Sequence, residues 1–600
     1  MEQYIEDLKK DFDQEEEDLN TMISDYETLS DNNVNTFFKL PISYTKNKKL
    51  LDQHLISDLE LQDKGEVKSL YKYIFKNTND KQEKSTYKTY ENQIIEQWSN
   101  LYTVDRPFLQ DTQKLIKNIN ENLDNDTSNN NDLSKLYDSW LNLKNLKYFK
   151  EKYQFLSWQI LDPFNRNSFF LTFLCYYNMI SPVFSLLIPI FMILLPFLIL
   201  KLRGINITFS AYWDMLKVIL ANNSMIKFIT NFKSSTLQEK AYSLISILIY
   251  MIQIYQNIQS CLMFYQNMNN IMNLYSNMQS YISTTRERME FILNQNLNSY
   301  DKFYNELRDK LEQLKIIDKK IKLIIKPKSF FFQVNQIGYI MKIYYELYHD
   351  NKNNEALMYS FGFNTYYNHL IEIHKHINSK KLNICTFVSN KKNSSMKNNY
   401  YIALINSSPI KNDVSIKKNL MITGPNASGK TTILKSFLIN HILSQQIGCG
   451  CYDSAEIKCY DYIYSYLNIP DTSGRDSLFQ AEARRCKLIL DKIQENKNNN
   501  HLCIFDELFS GTNPVDAVDT AHGFIDYLSK YDNHVRFLIT THYFSLCKKV
   551  NKKYVKQKCM QTNYKNNEIK YTYILKNGTN KTKAGKDVLK QMHYPSEIIK

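Results

Sequence analysis

The sequence predicts a P-loop α/β nucleotide-binding domain at its C-terminal end, preceded by a mostly α-helical half that contains a transmembrane hairpin. Three observations predict this. GPNASGKTT at 424–432 is a phosphate-loop signature. From about Asn383 short apolar runs (YIALI, NLMIT, LCIFDE, VRFLITTH) alternate with helical stretches, as strands and helices do in α/β domains. Upstream, the chain carries no charge from Phe169 to Leu200.

The helical half comes first. EDLKKDFDQEEEDLNTMI (6–23) and LSKLYDSWLNLKNLKYF (133–149) place apolar residues three and four apart, which puts them on one face of a helix. Residues 264 to 325 are again helical but mostly polar, as long exposed or partner-seeking helices are. The expected division is a helical region over 1–160, an apolar, membrane-inserted region over 161–264, a lever-like connector over 265–382 and the nucleotide-binding domain over 383–600. At 600 residues three or four domains are expected.

Within the apolar region, Ser181 to Leu200 as a helix covers ~30 Å, the thickness of a bilayer core. Pro182, Pro189 and Pro196 recur every seven residues, and Arg166 precedes the stretch while Lys201 and Arg203 follow it. Positive charge at both ends predicts a hairpin that turns near Ser181-Pro182 and returns to the cytosolic side. A second apolar stretch, 241–264, carries Gln253, Gln256, Asn257 and Gln259 and reads as a buried or interfacial helix.

Net charge is +14 but unevenly placed. Residues 1–32 hold twelve carboxylates against Lys9 and Lys10, leaving near +24 on the rest. A basic body suits nucleic acid or anionic lipid. The ten cysteines follow no secretory leader and form no ligand pattern for zinc, so reduced thiols in a cytosol-like compartment are expected. The expected location is a membrane with the nucleotide-binding domain on its cytosolic side, or else the cytoplasm or nucleus.

The chemistry lies in three segments. Gly424, Pro425, Asn426, Ala427, Ser428, Gly429, Lys430, Thr431 and Thr432 follow an apolar strand and open a helix. In that setting backbone N–H groups cradle phosphates, Lys430 neutralises the β- and γ-phosphates and the Thr431 hydroxyl ligates Mg²⁺. HLCIFDE (501–507) is a strand ending in two acids, with Asp506 beside the metal and Glu507 placed to orient or deprotonate water. VRFLITTH brings His542 to the end of another strand, where it can sense the γ-phosphate.

These segments resemble the MutS family of mismatch-repair ATPases. PIKNDVSIKKNLMITGPNASGKTT, SGRDSLFQAE, FDELFSGTNPVDA, TTHYF and YTYILKNG carry the resemblance, over roughly residues 408–600. The family has Ser-x-Phe-x-x-Glu where transporter ATPases carry a glycine-rich signature, and here that is Ser477, Phe479 and Glu482. The resemblance implies ATP and Mg²⁺ as cofactors, Glu507, His542 and Lys430 as catalytic residues, and Thr431 with Asp506 at the metal. It puts Asn412 and Asp413 near the adenine and Ser477 on the nucleotide of a partner subunit, hence a homodimer, with DNA as the implied ligand.

Departures from the family pattern are also visible. Ala427-Ser428 replace Met-Gly, and Leu508-Phe509-Ser510-Gly511-Thr512 replace Ile-Gly-Arg-Gly-Thr. The family's mismatch wedge, Phe-x-Glu, is matched outside the ATPase motifs only by Phe149-Lys150-Glu151 in a helical stretch, a chance occurrence. The expected function is therefore a dimeric MutS-like ATPase that rearranges with nucleotide, on DNA. The rival is a membrane-anchored mechanochemical or scaffold ATPase that reads no mismatch, with the membrane contact through residues 169–200.

Overall fold

The computed structural model describes residues 37–599 apart from 66, 76–85, 120–128, 206, 221–236, 326–335, 390–392, 468–476, 566–567, 583–588 and 590–591. The helix expected over 6–23 and the start of SGRDSLFQAE lie outside the described residues. The chain divides into two compact units. One is drawn from Met1–Thr127, Thr285–Leu311 and Glu355–Lys600, the other from Ser128–Thr284 and Glu312–Asn354.

In the first unit, strand β1 (Lys48–Leu50) pairs antiparallel with β2 (Leu101–Thr103). Helix α1 (Gln53–Asp58) is capped by Asp52, which accepts the His54 N–H at 3.0 Å. Helix α2 (Thr86–Asn100) leads into β2. Helix α3 (Arg106–Asn118) starts at Asp105, which accepts the Phe108 N–H, and buries Phe108, Leu109, Thr112, Leu115 and Ile116 at helical spacing.

The second unit holds α4 (Asn129–Lys144), α5 (Ser168–Leu202), α6 (Phe209–Leu220) and most of α7 (Leu237–Leu293). Helix α8 (Asp301–Ile325) follows, so residues 264–325 are helical as expected. Helix α9 (Ile337–His349) meets the start of α5 at Gly338, where a Cβ would stand 2.1 Å from the Ser168 carbonyl oxygen.

The hairpin expected within 169–200 is not there. Helix α5 runs unbroken through Ser181-Pro182. A proline removes the N–H that would bond the carbonyl four residues back, and this structure supplies substitutes. The Ser181 hydroxyl donates to the Asn178 carbonyl at 3.1 Å, and the Tyr250 hydroxyl of α7 donates to the Ser185 carbonyl at 2.9 Å. Helix α7 accompanies α5, with Asn257 bonded to the Ser185 hydroxyl and the Cys261 thiol 3.8 Å from the Met179 carbonyl. Residues 241–264, expected to be buried or interfacial, expose Tyr242, Leu248, Met251 and Tyr255.

After α10 (Asn351–Asn378) the first unit continues as the α/β domain. A small sheet is built from β3 (Thr386–Phe387), β4 (Ser395–Asn399), β5 (Asn412–Ser415) and β7 (Ser454–Ile457), in the order β3-β7-β4-β5. The main sheet comprises β6 (Asn419–Thr423), β8 (Tyr462–Tyr466), β9 (His501–Phe505), β10 (Val535–Thr541), β11 (Val555–Lys565) and β12 (Glu568–Asn577). Its order is β8-β9-β10-β6-β11-β12, parallel except for β12. Strands β6, β9 and β10 are buried along their whole length, as in a parallel sheet covered on both faces.

Helix α11 (Lys430–Ile447) leaves only Thr431, Thr432 and Lys435 unburied. Its covering comes from the N-terminal elements: Gln446 donates to the Trp98 and Leu101 carbonyls at 2.6 and 2.7 Å, Gln445 to the Thr103 carbonyl at 3.2 Å, and Tyr71 donates to Gln446 at 2.8 Å. This is why the described residues of 37–119 share a unit with the α/β domain rather than following the division read from the sequence.

Candidate active site

The phosphate loop joins β6 to α11. Gly424 is required by space, since a Cβ there would lie 2.7 Å from the Ser428 hydroxyl oxygen and 3.0 Å from Met560 Cβ. Gly429 caps α11 at φ +90°, a conformation that favours glycine. Ala427 adopts φ +62°, and the Ser428 hydroxyl donates to the Pro425 carbonyl at 2.7 Å. The two residues that depart from the family loop thus keep it closed on itself.

Lys430 is buried, and its ammonium donates to the carbonyls of Gly424 and Pro425 at 3.0 and 3.1 Å and lies 2.9 Å from Glu507 Oε1. The Thr431 hydroxyl donates to Asp506 Oδ2 at 2.5 Å, and Thr540 donates to the other oxygen. Thr540 also receives the Glu507 N–H at 3.1 Å, and His542 Nδ1 stands 3.3 Å from Glu507 Oε2. Glu507 sits at φ +49°.

The two adjacent acids are pushed in opposite directions. Burial raises Asp506, although Thr431 and Thr540 oppose it. The hydrogen bond from His542, helped by Lys430, lowers Glu507 to about 2. Asp506 with Thr431 and Thr540 offers only hard oxygen donors, the set that Mg²⁺ takes together with substrate phosphates. Among the described residues no group of three His, Cys, Asp or Glu could hold a metal by itself.

A cavity of about 1150 Å³ opens over the loop, lined by Asn412, Asn426, Ala427, Gly429, Lys430, Thr431, Thr432, Glu482, Asp506 and Glu507. Asn412 also links β5 to β12, donating to the Tyr573 carbonyl at 3.0 Å and accepting the Leu575 N–H at 2.7 Å. Gly424, Pro425, Ser428 and His542 shape or back the site without lining the cavity. Asp413 is not in the lining: it is exposed and accepts the Asn398 N–H at 2.9 Å within the small sheet.

Ser477 caps α12 (Leu478–Glu495) in a reciprocal pair with Gln480, at 3.3 and 3.0 Å. It is exposed and outside the cavity lining. Glu482, five residues on, is buried and accepts Ser510 N, the Ser510 hydroxyl and Gly511 N at 3.1, 3.0 and 3.2 Å. The signature thereby grips the loop that follows Glu507, which leads to α13 (Pro514–Ser529).

Sequence reasoning missed several residues. Thr540 could have been found, because it lies at the end of the strand that leads to His542. Tyr573 could not: its φ of +57° and its place against Gly429, where a Cβ would meet its ring at 3.1 Å, come from a register shift between β11 and β12. Ser57 and Lys64 line the cavity from the far end of the chain.

The family model described as MutS domain V matches residues 420–600. DNA mismatch repair protein MutS of Staphylococcus epidermidis is 30% identical over 182 residues, covering 30% of this chain and 20% of that protein. The MutS proteins of Staphylococcus saprophyticus and Desulfatibacillum aliphaticivorans are 29% and 30% identical over 196 and 186 residues, 32% and 30% of this chain and 21% and 20% of theirs. The chain thus spans about a fifth of the length of these relatives. Residues 420–600 are a MutS domain V, and over that domain the chain is similar to the MutS family.

Proposed function

We propose that this chain is a Mg²⁺-dependent ATPase that acts as a dimer on DNA and couples ATP binding and hydrolysis to a change of subunit geometry. The observation that carries the reading is the convergence of Lys430, Thr431, Asp506, Glu507 and His542 from three separate segments. Thr431 and Asp506 would hold Mg²⁺, which would supply positive charge to neutralise the phosphates. Lys430 exchanges its contact with Glu507 for the β- and γ-phosphates. Glu507, held by His542, then faces the attacking water. A carboxylate with a pKa near 2 orients water and polarises it but is a weak proton store; loss of the Lys430 contact to substrate raises its basicity when it is needed.

Ser477, exposed at the start of α12, is available to a second copy, so ATP between two copies would tie γ-phosphate presence to their geometry. DNA is supported by the similarity to DNA mismatch repair proteins and by the basic charge outside residues 1–32. Steady-state hydrolysis and nucleotide binding test the chemistry. Glu507→Gln is expected to bind ATP normally and to turn over about a thousandfold more slowly, whereas Lys430→Ala loses binding itself. Normal turnover by Glu507→Gln overturns the assignment.

A second reading, a membrane-anchored ATPase facing the cytosol, is favoured by one observation in the second unit. Helices α5 and α7 turn polar groups (Ser185, Tyr250, Asn257) toward each other and leave Phe169, Phe173, Leu195, Leu198 and Leu248 exposed. That inverted polarity is the arrangement a lipid environment selects. Among the described residues one helical stretch, Leu244–Leu293, is long and apolar enough to cross a membrane. Resistance of the expressed protein to carbonate extraction, with N- and C-terminal tags cleaved together in sealed vesicles, is the expected result; full extraction of folded, active protein rejects it.

A further inference from the structure

The stretch Asp52–Lys64 lies far from the family motifs, yet it reaches four parts of the nucleotide site. At the start of α1, Asp52 faces α12: its Oδ2 is 2.5 Å from the Lys492 ammonium and its Oδ1 is 3.5 Å from Arg485. At the other end of α1, the buried Asp58 accepts the Ser465 hydroxyl at 2.7 Å and the Leu467 N–H at 3.2 Å. Arg485 donates to the Ser465 carbonyl at 2.9 and 3.3 Å. The end of β8 is therefore held from one side by α1 and from the other by α12.

Further along, Glu60 reaches Lys435 of α11 at 3.4 Å, and Ser57 and Lys64 line the cavity. Leu467 is the last described residue before 468–476, and Ser477 caps α12 directly after that segment. The end of β8 and the middle and last turn of α12 are thus tied to one short helix through contacts to its carboxylates.

We propose that Asp52 and Asp58 are positioning residues for the Ser477 signature, so that the placement of the N-terminal region sets the rate of ATP turnover. A shift of α1 moves the end of β8 and, through Arg485 and Lys492, the body of α12, and with that helix the Ser477 that caps it. The Lys430 loop has its own supports, the closed turn at Ser428 and the buried helix α11, so nucleotide binding by the same subunit is spared. The proposal rests on the reading that Ser477 serves a partner's nucleotide.

The test uses the full chain with Asp52→Asn, Lys492→Met and Asp58→Asn. Asp58 is buried and its variant can misfold, whereas Lys492 is half-exposed, so the other two keep the question decidable. ATP affinity is expected to stay within about twofold while kcat falls about tenfold or more, the signature of an interaction used only in turnover. Mixing Asp52→Asn with Lys430→Ala should restore activity, because one composite site then has an intact loop and an intact signature. Unchanged kcat in folded Asp52→Asn and Lys492→Met overturns the proposal. So does failure to recover on mixing when a Ser477→Arg and Lys430→Ala mixture does recover. If that control mixture is also inactive, the partner reading fails; kcat lost with affinity kept then still supports positioning, and joint loss overturns it.

Discussion

Helices α11 and α5 are both apolar over most of their length, and their surroundings are opposite. In α11, Leu434, Phe437 and Leu438 are fully buried, and the polar side chains among them, Asn440, Gln445 and Gln446, all find partners inside. In α5, Phe169 and Leu202 are 85% and 87% exposed, and the polar contacts lie between α5 and α7. The first helix is stabilised by what the chain itself places around it. The second shows its apolar side outward, so its stability depends on what the chain meets. Apolar content is shared; only the covering differs.

The largest expected effect separates the two helices directly. Leu438→Ala should destabilise the first unit by about 2–5 kcal/mol, as a cavity in a closed core does. Leu198→Ala, at a half-exposed site, should change stability by less than about 0.5 kcal/mol. Urea unfolding read by nucleotide binding for the first and by proteolysis within α5 for the second measures both. Equal losses would break the comparison.

Acid should next affect the α11 side. Burial lowers His441 from 6.5 to about 4, with its Nε2 3.0 Å from the Lys458 carbonyl oxygen. The folded state keeps it neutral while the unfolded chain takes up a proton below pH 6.5. Stability is therefore intact above that pH and lost on descent toward pH 4, by about 3 kcal/mol in all. His441→Asn, which cannot charge, should flatten the slope; an unaltered slope assigns it elsewhere.

A pair of glycines sharpens the contrast in packing. Gly338→Ala should cost about 1–3 kcal/mol, because the new Cβ meets the backbone of α5 at its start. Gly523→Ala, in α13 with nothing within 4 Å, should stabilise by about 0.5–1 kcal/mol through helix propensity. Thermal unfolding of the two variants should move in opposite directions.

The smallest effect concerns an ion pair outside the long helices. The Lys150 ammonium, 2.8 Å away, and the Tyr345 hydroxyl hold Asp162 below its ordinary value of 3.8. Its contribution is present above that pH and lost as pH falls below it. Solvent screening limits Asp162→Asn to less than about 1 kcal/mol at neutral pH, and the difference from the parent should shrink as pH falls below 3.8.

Most of the candidate site was legible because its residues are close together in the sequence. Gly424 to Thr432 must be contiguous for one turn to cradle phosphates, and Asp506 and Glu507 must end a strand. The hairpin was misread for an equally physical reason. A proline reads as a break when only its own helix is in view, and the hydroxyl that satisfies the Ser185 carbonyl comes from Tyr250, 65 positions away. Asp413 was carried over with its neighbour Asn412, but adjacent residues of a strand face opposite sides, and only Asn412 lines the cavity.

By itself the sequence determined the P-loop, the strands at NLMIT, LCIFDE and VRFLITTH and the family resemblance, since each rests on short-range patterns of shape and charge, whereas YIALI, read with those runs, forms a short 3₁₀ helix at Ile402–Leu404. The tertiary structure alone decided that the described residues of 37–119 close over α11, that α5 runs through its prolines beside α7, and that Ser57, Lys64 and Tyr573 reach the site. Those contacts join positions tens to hundreds of residues apart. Their free energy exists only once the chain has folded and water has been removed from between them.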